Sequence, residues 1–176
     1  MKQNRRHFFL SGAGALATGT LLSTTAHSEE PVHKPDTSQI PDFDKWQLTE
    51  KEWRERLTPE QFSVLRREGT ERAGTSPLDK QYAKGIYACA GCGYELFTSD
   101  QKFDSGTGWP SFFDALPNAI ETKRDFKLII PRTEYHCARC GGHQGHVFDD
   151  GPQPTGLRYC NNGVALVFKP EGGEAS

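Results

Sequence analysis

One cysteine in this chain has nothing in the sequence to pair with. Of five cysteines, four fall into two CxxC knuckles, Cys89/Cys92 and Cys137/Cys140, and the fifth, Cys160, lies in the run Gly156-Leu157-Arg158-Tyr159-Cys160-Asn161-Asn162. A thiol free of structural duty is available as a nucleophile, and its thiolate is the reactive form. Arg158, two residues before it, carries a fixed positive charge that favours a thiolate; Asn162, two after, has an amide that donates or accepts hydrogen bonds. Two histidines, His143 and His146, stand among glycines just after the second knuckle. Their spacing does not make a helix face, and it leaves three uses open: metal ligation, a solvated surface, or proton donation near Cys160. Trp109 sits in the glycine- and proline-rich loop Phe103 to Phe112, either as a core residue or as a wall of a site. Asp149-Asp150 ahead of Gly151-Pro152 reads as a turn.

The knuckles read Cys-Ala-Gly-Cys-Gly and Cys-Ala-Arg-Cys-Gly. Four such thiolates close a tetrahedron around one zinc ion per chain, the glycines letting backbone amides turn towards sulfur. A closed four-sulfur shell has no position open to substrate, so the expected role of the metal is structural. The roughly forty residues between the knuckles exceed zinc-ribbon spacing, so the site is expected to tie together two ends of an inserted sheet. Iron also accepts four thiolates, and either pair taken alone can be a redox dithiol. Haem attachment is excluded, because glycine rather than histidine follows Cys92 and Cys140.

These side chains need a scaffold, and the composition narrows it. A chain of 176 residues, 35% hydrophobic and 25% charged, makes one domain with a single core. Eighteen glycines, eleven prolines and many aromatics point to a loop-rich β protein. The net charge of −2 gives no basic footprint, which disfavours nucleic acid as a partner. Capping boxes at Thr49-Glu50-Lys51-Glu52 and Thr58-Pro59-Glu60-Gln61 predict two short helices, the second stopping at Gly69. Trp53 with Leu57, and Phe62 with Leu65, give each helix one buried face. From Gly85 onward short strands are expected at Ile86 to Cys89, Glu95 to Thr98, Phe126 to Ile130, Arg132 to His136, His146 to Phe148, Arg158 to Cys160 and Val164 to Phe168. Helical signals precede the strands rather than alternate with them, so the sheet is expected to be antiparallel.

The N-terminus reads as outside the fold. Arg5-Arg6 precede a mildly apolar run, Phe8 to Leu22, that ends in the small residues Ser23 to Ala26. This resembles a twin-arginine export signal over residues 1–26 and predicts a periplasmic or otherwise exported protein without lasting membrane insertion. Cleavage near Ala26 would remove Lys2, Arg5 and Arg6 and leave the mature chain more acidic. Residues 27–45, rich in proline and without periodicity, read as a flexible linker, residues 46–170 as the folded domain and 171–176 as a disordered tail.

Cys89 to Cys92, Phe103 to Phe112, Cys137 to Asp150 and Arg158 to Asn162 occur in the order, and nearly in the wording, of the methionine-R-sulfoxide reductases of the MsrB type, which the chain resembles from about Trp46 to Pro170. That resemblance implies a mainly β, MsrB-like or Mss4-like fold of two antiparallel sheets with short N-terminal helices and a structural zinc on Cys89, Cys92, Cys137 and Cys140. It implies reduction of the R epimer of protein-bound methionine sulfoxide. It assigns Cys160 as nucleophile aided by Arg158, His146 and His143 as acids for the sulfoxide oxygen, Asn162 as a polar anchor, and Trp109 and Phe148 as the substrate side. The implied partners are oxidised proteins and a thioredoxin-like reductant, and a monomer is expected. Thr107 stands where many members carry a cysteine that resolves the Cys160 sulfenic acid, which predicts direct reduction by an outside thiol. Gly163-Val164-Ala165 also departs from the family, where a small hydroxyl residue is common, and bears on substrate preference rather than on the reaction. The reading from another class is an exported zinc-ribbon-like binding module without catalysis.

Overall fold

The two capping boxes are built as their sequences dictate. A computed structural model describes residues 33–126 and 131–172. Helix α1 (Glu50–Arg56) starts at Thr49, whose hydroxyl accepts from the Glu52 amide while the Glu52 carboxylate accepts from the Thr49 amide at 2.7 Å. Helix α2 (Pro59–Arg67) repeats the arrangement with Thr58 and Gln61, proline supplying the first turn. Each cap is worth about 1 kcal/mol. The stop differs from expectation: Glu68, not Gly69, adopts the left-handed conformation (φ 55°), and the Gly69 amide donates to the Ser63 carbonyl at 2.9 Å. Trp53, Leu57, Phe62 and Leu65 are buried as the spacing requires.

Nine strands follow among the described residues: β1 (Gly85–Cys89), β2 (Glu95–Thr98), β3 (Lys102–Phe103), β4 (Ser111–Phe112), β5 (Ile120–Asp125), β6 (Arg132–Cys137), β7 (His143–Phe148), β8 (Arg158–Asn161) and β9 (Leu166–Pro170). They form two antiparallel sheets, β2-β1-β9 and β3-β4-β8-β7-β6-β5. The core lies between them. Tyr87 and Phe97 of the small sheet meet Phe112 and Tyr135 of the large one, all fully buried; Phe97 stacks on Phe112 at 4.1 Å and meets Tyr135 edge-on at 6.2 Å. Such aromatic pairs add roughly 0.5–1.5 kcal/mol each beyond their burial.

Several expectations are corrected here. β3 and β4 are two-residue strands with no alternation to read. β5 holds Glu, Lys, Arg and Asp in six residues and was not expected as a strand; it forms because it pairs with β6 from Ile120↔Cys137 to Asp125↔Arg132. Of the expected strand Phe126 to Ile130, Phe126 is exposed and outside any strand, and the rest lies outside the described residues. Residues 163–165 make a short 3-10 turn before β9 rather than beginning it. The described part of the expected linker is not free. Residues 33–46 carry two 3-10 turns, Ile40 is buried, the His33 amide donates to the Thr122 hydroxyl at 2.6 Å, and the Thr122 amide donates back to the His33 carbonyl at 2.9 Å. Proline richness does not prevent docking where backbone groups find a strand edge. At the other end, the Glu171 amide still bonds the Lys84 carbonyl. The proposed export signal lies outside the described residues, and no helix among them is long and apolar enough to cross a membrane.

Two features of the large sheet position chemistry. Residues directly opposite one another in antiparallel strands share a face, so the registers Ser111↔Cys160, Cys160↔His146, His146↔Glu134 and Glu134↔Lys123 set one row across five strands. The second feature is a bulge. Tyr135 opposes Gly145 but His136 opposes His143, leaving Gln144 without an opposite residue. In a regular strand His143 and His146, three apart, would face opposite sides. The extra residue brings them to one face, with ring centroids 5.5 Å apart.

Candidate active site

The two knuckles sit at the β1–β2 and β6–β7 turns, one in each sheet, so the four cysteines join two sheets rather than two ends of one inserted sheet. Gly93 (φ 72°) and Gly141 (φ 65°) take the left-handed step after each Cys pair. All four sulfurs are buried and lie within 4.8 Å of one another, with Cys89–Cys140 at 3.7 Å and Cys92–Cys137 at 3.6 Å. Zinc–sulfur bonds of about 2.3 Å in a tetrahedron require sulfur–sulfur edges of about 3.8 Å, so the cluster fits a structural zinc ion. Arg66 of α2 donates to the Cys140 carbonyl at 3.0 and 2.9 Å, and the Gln144 amide points at Cys89 Sγ at 3.4 Å.

Cys160 and His146 face each other across β8 and β7 at the floor of a cavity of roughly 130 Å³, whose walls include Trp109, Phe148 and Asn162. Gly145 makes the close approach possible, since a Cβ there would lie 1.9 Å from the Cys160 carbonyl oxygen. A wider open groove of about 1020 Å³ between α2, residues 70–78 and β9 contains neither Cys160 nor a histidine, so the chemistry belongs to the smaller cavity. Five of the seven non-zinc residues singled out in the sequence therefore meet at one place. His143 and Arg158 do not line it.

His143 is almost completely buried behind His146, and burial, with His136 alongside, pushes its imidazole down to about 4. It does not line the cavity, and its ring centroid stands 5.5 Å from that of His146. Arg158 is held in a bidentate pair with Asp150 (2.7 and 2.9 Å) and lies over the Phe148 ring at 4.3 Å. Its expected effect on Cys160 is outweighed. Burial pushes the Cys160 thiol up from its ordinary value; Arg158 and the Thr107 hydroxyl pull it down, and Asp150 cancels part of that pull. Asp149-Asp150 is thus more than a turn.

Three residues unmarked by the sequence organise the cavity. Asp125 Oδ2 lies 2.9 Å from His146 Nε2 and accepts from Arg132 at 2.7 Å, the first contact fixing the imidazole orientation. Burial lowers the His146 imidazole, and the Asp125 hydrogen bond opposes that. Glu71, in the loop after α2, accepts from Trp109 Nε1 through its carbonyl at 3.2 Å, donates its amide to Asn162 Oδ1 at 3.0 Å, and caps the 163–165 turn through its carboxylate at Val164 N, 3.0 Å. One residue thereby sets both Trp109 and Asn162. Asn162 also donates Nδ2 to the Gln144 carbonyl at 2.9 Å, which leaves one amide hydrogen for the cavity. No local motif marks Asp125, Arg132 or Glu71, because their roles arise from pairing between segments distant in sequence.

Burial raises the Cys160 thiol, so its alkylation by iodoacetamide should lag behind that of a free cysteine at the same pH. Asp150→Asn removes the charge that opposes Arg158 and should move the midpoint down, raising alkylation at pH 8 by roughly three- to tenfold. An unchanged profile would mean that the Arg158–Asp150 pair does not set this thiol.

The SelR domain family matches residues 57–170. A peptide methionine sulfoxide reductase MsrB of Agrobacterium fabrum is 56% identical over 120 residues, covering 68% of this chain and 89% of that protein. The MsrB of Methanosarcina barkeri is 54% identical over 70% of this chain and 87% of its own length. The chloroplastic peptide methionine sulfoxide reductase B1 of Arabidopsis thaliana is 50% identical over 149 residues, 84% of this chain and 73% of the relative. Matches of this extent, over a fold of two antiparallel sheets with four clustered cysteines, place the chain in the SelR domain family of MsrB reductases.

Proposed function

We propose that this chain reduces the R epimer of methionine sulfoxide in proteins, with Cys160 as the nucleophile and His146 as the group that moves the proton. The observation that carries the reading is the facing pair Cys160 and His146 at the floor of a cavity walled by an indole and a phenyl ring. His146 Nε2 is committed to Asp125, so in the neutral ring Nδ1 is the free nitrogen. It takes the Cys160 proton as sulfur attacks the sulfoxide sulfur, then returns that proton to the sulfoxide oxygen. The sulfur–oxygen bond of the substrate breaks and oxygen ends on Cys160 as a sulfenic acid. Methionine sulfur is reduced by two electrons and Cys160 is oxidised by two, with no net proton gained. A raised thiol suits this order, since the proton needed by the oxygen is still present when substrate arrives.

Trp109 and Phe148 pack on the S-methyl group and the methionine side chain, and the remaining Asn162 hydrogen meets the polar oxygen. Methyl towards the indole and oxygen towards His146 leaves one epimer with its sulfur open to Cys160. Thr107 lies by the Cys160 sulfur and has no thiol to give it. Two equivalents of an outside thiol therefore return Cys160 to the thiol and release water, the disulfide forming on the reductant. Zinc, when bound, supplies the tie between the sheets, and every step above belongs to the chain's own residues. Arg5-Arg6 with the apolar run after them support export, where the enzyme would repair oxidised proteins.

One equivalent of an R-sulfoxide peptide, without reductant, should yield one methionine and a Cys160 that reacts with dimedone, seen by peptide mass spectrometry. A disulfide between Cys160 and a knuckle cysteine in the zinc-loaded protein would overturn the direct-reduction step.

A further inference from the structure

We propose that Glu134, His136 and His143 form a second divalent-cation site, separate from the four cysteines and taking a zinc-class ion on nitrogen and oxygen. The bulge at Gln144 is what assembles it, by setting His143 opposite His136 on the face that carries Glu134. All three residues are buried, and one ligand atom from each falls within 4.8 Å of the others. Glu134 Oε1 lies 3.2 Å from His136 Nε2 and Oε2 lies 3.3 Å from His143 Nδ1. Bonds of about 2.0–2.1 Å in a tetrahedral zinc site require ligand–ligand edges of about 3.3 Å.

The hydrogen bonding around these rings leaves a gap that a cation fills. His136 Nδ1 is 3.2 Å from the Gly141 carbonyl, which only accepts, so Nδ1 carries the hydrogen. In the neutral ring Nε2 is then a lone pair aimed at a carboxylate oxygen. His136 Nε2 and both nitrogens of His143 lack an aligned hydrogen-bond partner, which is costly for buried polar atoms. The Lys123 ammonium, 3.2 Å from Glu134 Oε1 and half exposed, holds a positive charge at the same carboxylate. An entering ion displaces it, and the exposure of Lys123 provides the way in. Two imidazoles with a carboxylate suit zinc, cobalt, nickel or copper rather than calcium or magnesium.

The site is read from these three residues alone and stands whether or not the chain proves to be a reductase. The test adds cobalt to protein whose four cysteines already hold zinc, and follows binding by dialysis and absorption. The expected result is about one cobalt per chain with nitrogen–oxygen d–d bands and no sulfur charge-transfer band. His136→Gln should abolish it while retaining the first zinc. Lys123→Met, which keeps every ligand, should tighten it by roughly tenfold, since the competing ammonium is gone. Absence of cobalt binding in the zinc-loaded wild type, or an affinity unchanged by Lys123→Met, would overturn the proposal.

Discussion

Cys160→Ser is expected to lower turnover of methionine sulfoxide by at least about 10⁴-fold while leaving the fold intact. The substitution is close to isosteric, and the Thr107 hydroxyl already presents oxygen to this position. What is lost is redox chemistry. A sulfur can accept the sulfoxide oxygen and become a sulfenic acid, whereas an alcohol accepting the same oxygen would become a hydroperoxide, far uphill. The measurement is methionine formed per chain with dithiothreitol, beside a thermal melt of both proteins. A folded Cys160→Ser chain with more than a hundredth of wild-type turnover would remove Cys160 from the role of nucleophile.

Loss of zinc should affect the fold first and the chemistry only through it. The knuckles connect the turn of β1–β2 to the turn of β6–β7, and the strands that carry His146 and Cys160 continue from the second of these. Apparent binding free energies of about 10–16 kcal/mol are released to folding at structural zinc sites, which exceeds or matches the whole stability of a domain this size. Stripping the metal, or Cys92→Ser, should lower the melting midpoint by roughly 20–40 °C and leave buried thiols open to alkylation. An apo chain that melts within a few degrees of the zinc-loaded one would contradict this placement of the metal.

How far the sequence reaches can be seen residue by residue. Cys160, the four zinc cysteines and both helix starts are local: an odd cysteine, two CxxC pairs and two capping boxes state their purpose within a few residues. Trp109 and Phe148, given to the substrate side by resemblance, line the cavity. His143 is not legible, because nothing within the strand announces the bulge that turns it to the face of His146. β5 is a run of charges whose strand character comes from its partner β6, so Asp125, which orients His146, could not be seen beforehand. Glu71 is hidden for a similar reason: its amide, carbonyl and carboxylate act on Trp109, Asn162 and Val164, far from it in sequence. The same distance effect decides Arg158. Its charge two residues from Cys160 reads as activation, but burial outweighs that pull and leaves the thiol raised, and Asp150 cancels part of it.

The proposed chemistry requires that one cavity present a single sulfoxide epimer to Cys160. The most direct measurement is turnover of separated R and S epimers of a peptide-bound methionine sulfoxide by the zinc-loaded protein, with dithiothreitol as reductant. Methionine is expected from the R epimer alone, and from neither epimer with Cys160→Ser. Equal turnover of both epimers, or turnover of neither by a folded, zinc-loaded chain, would contradict it.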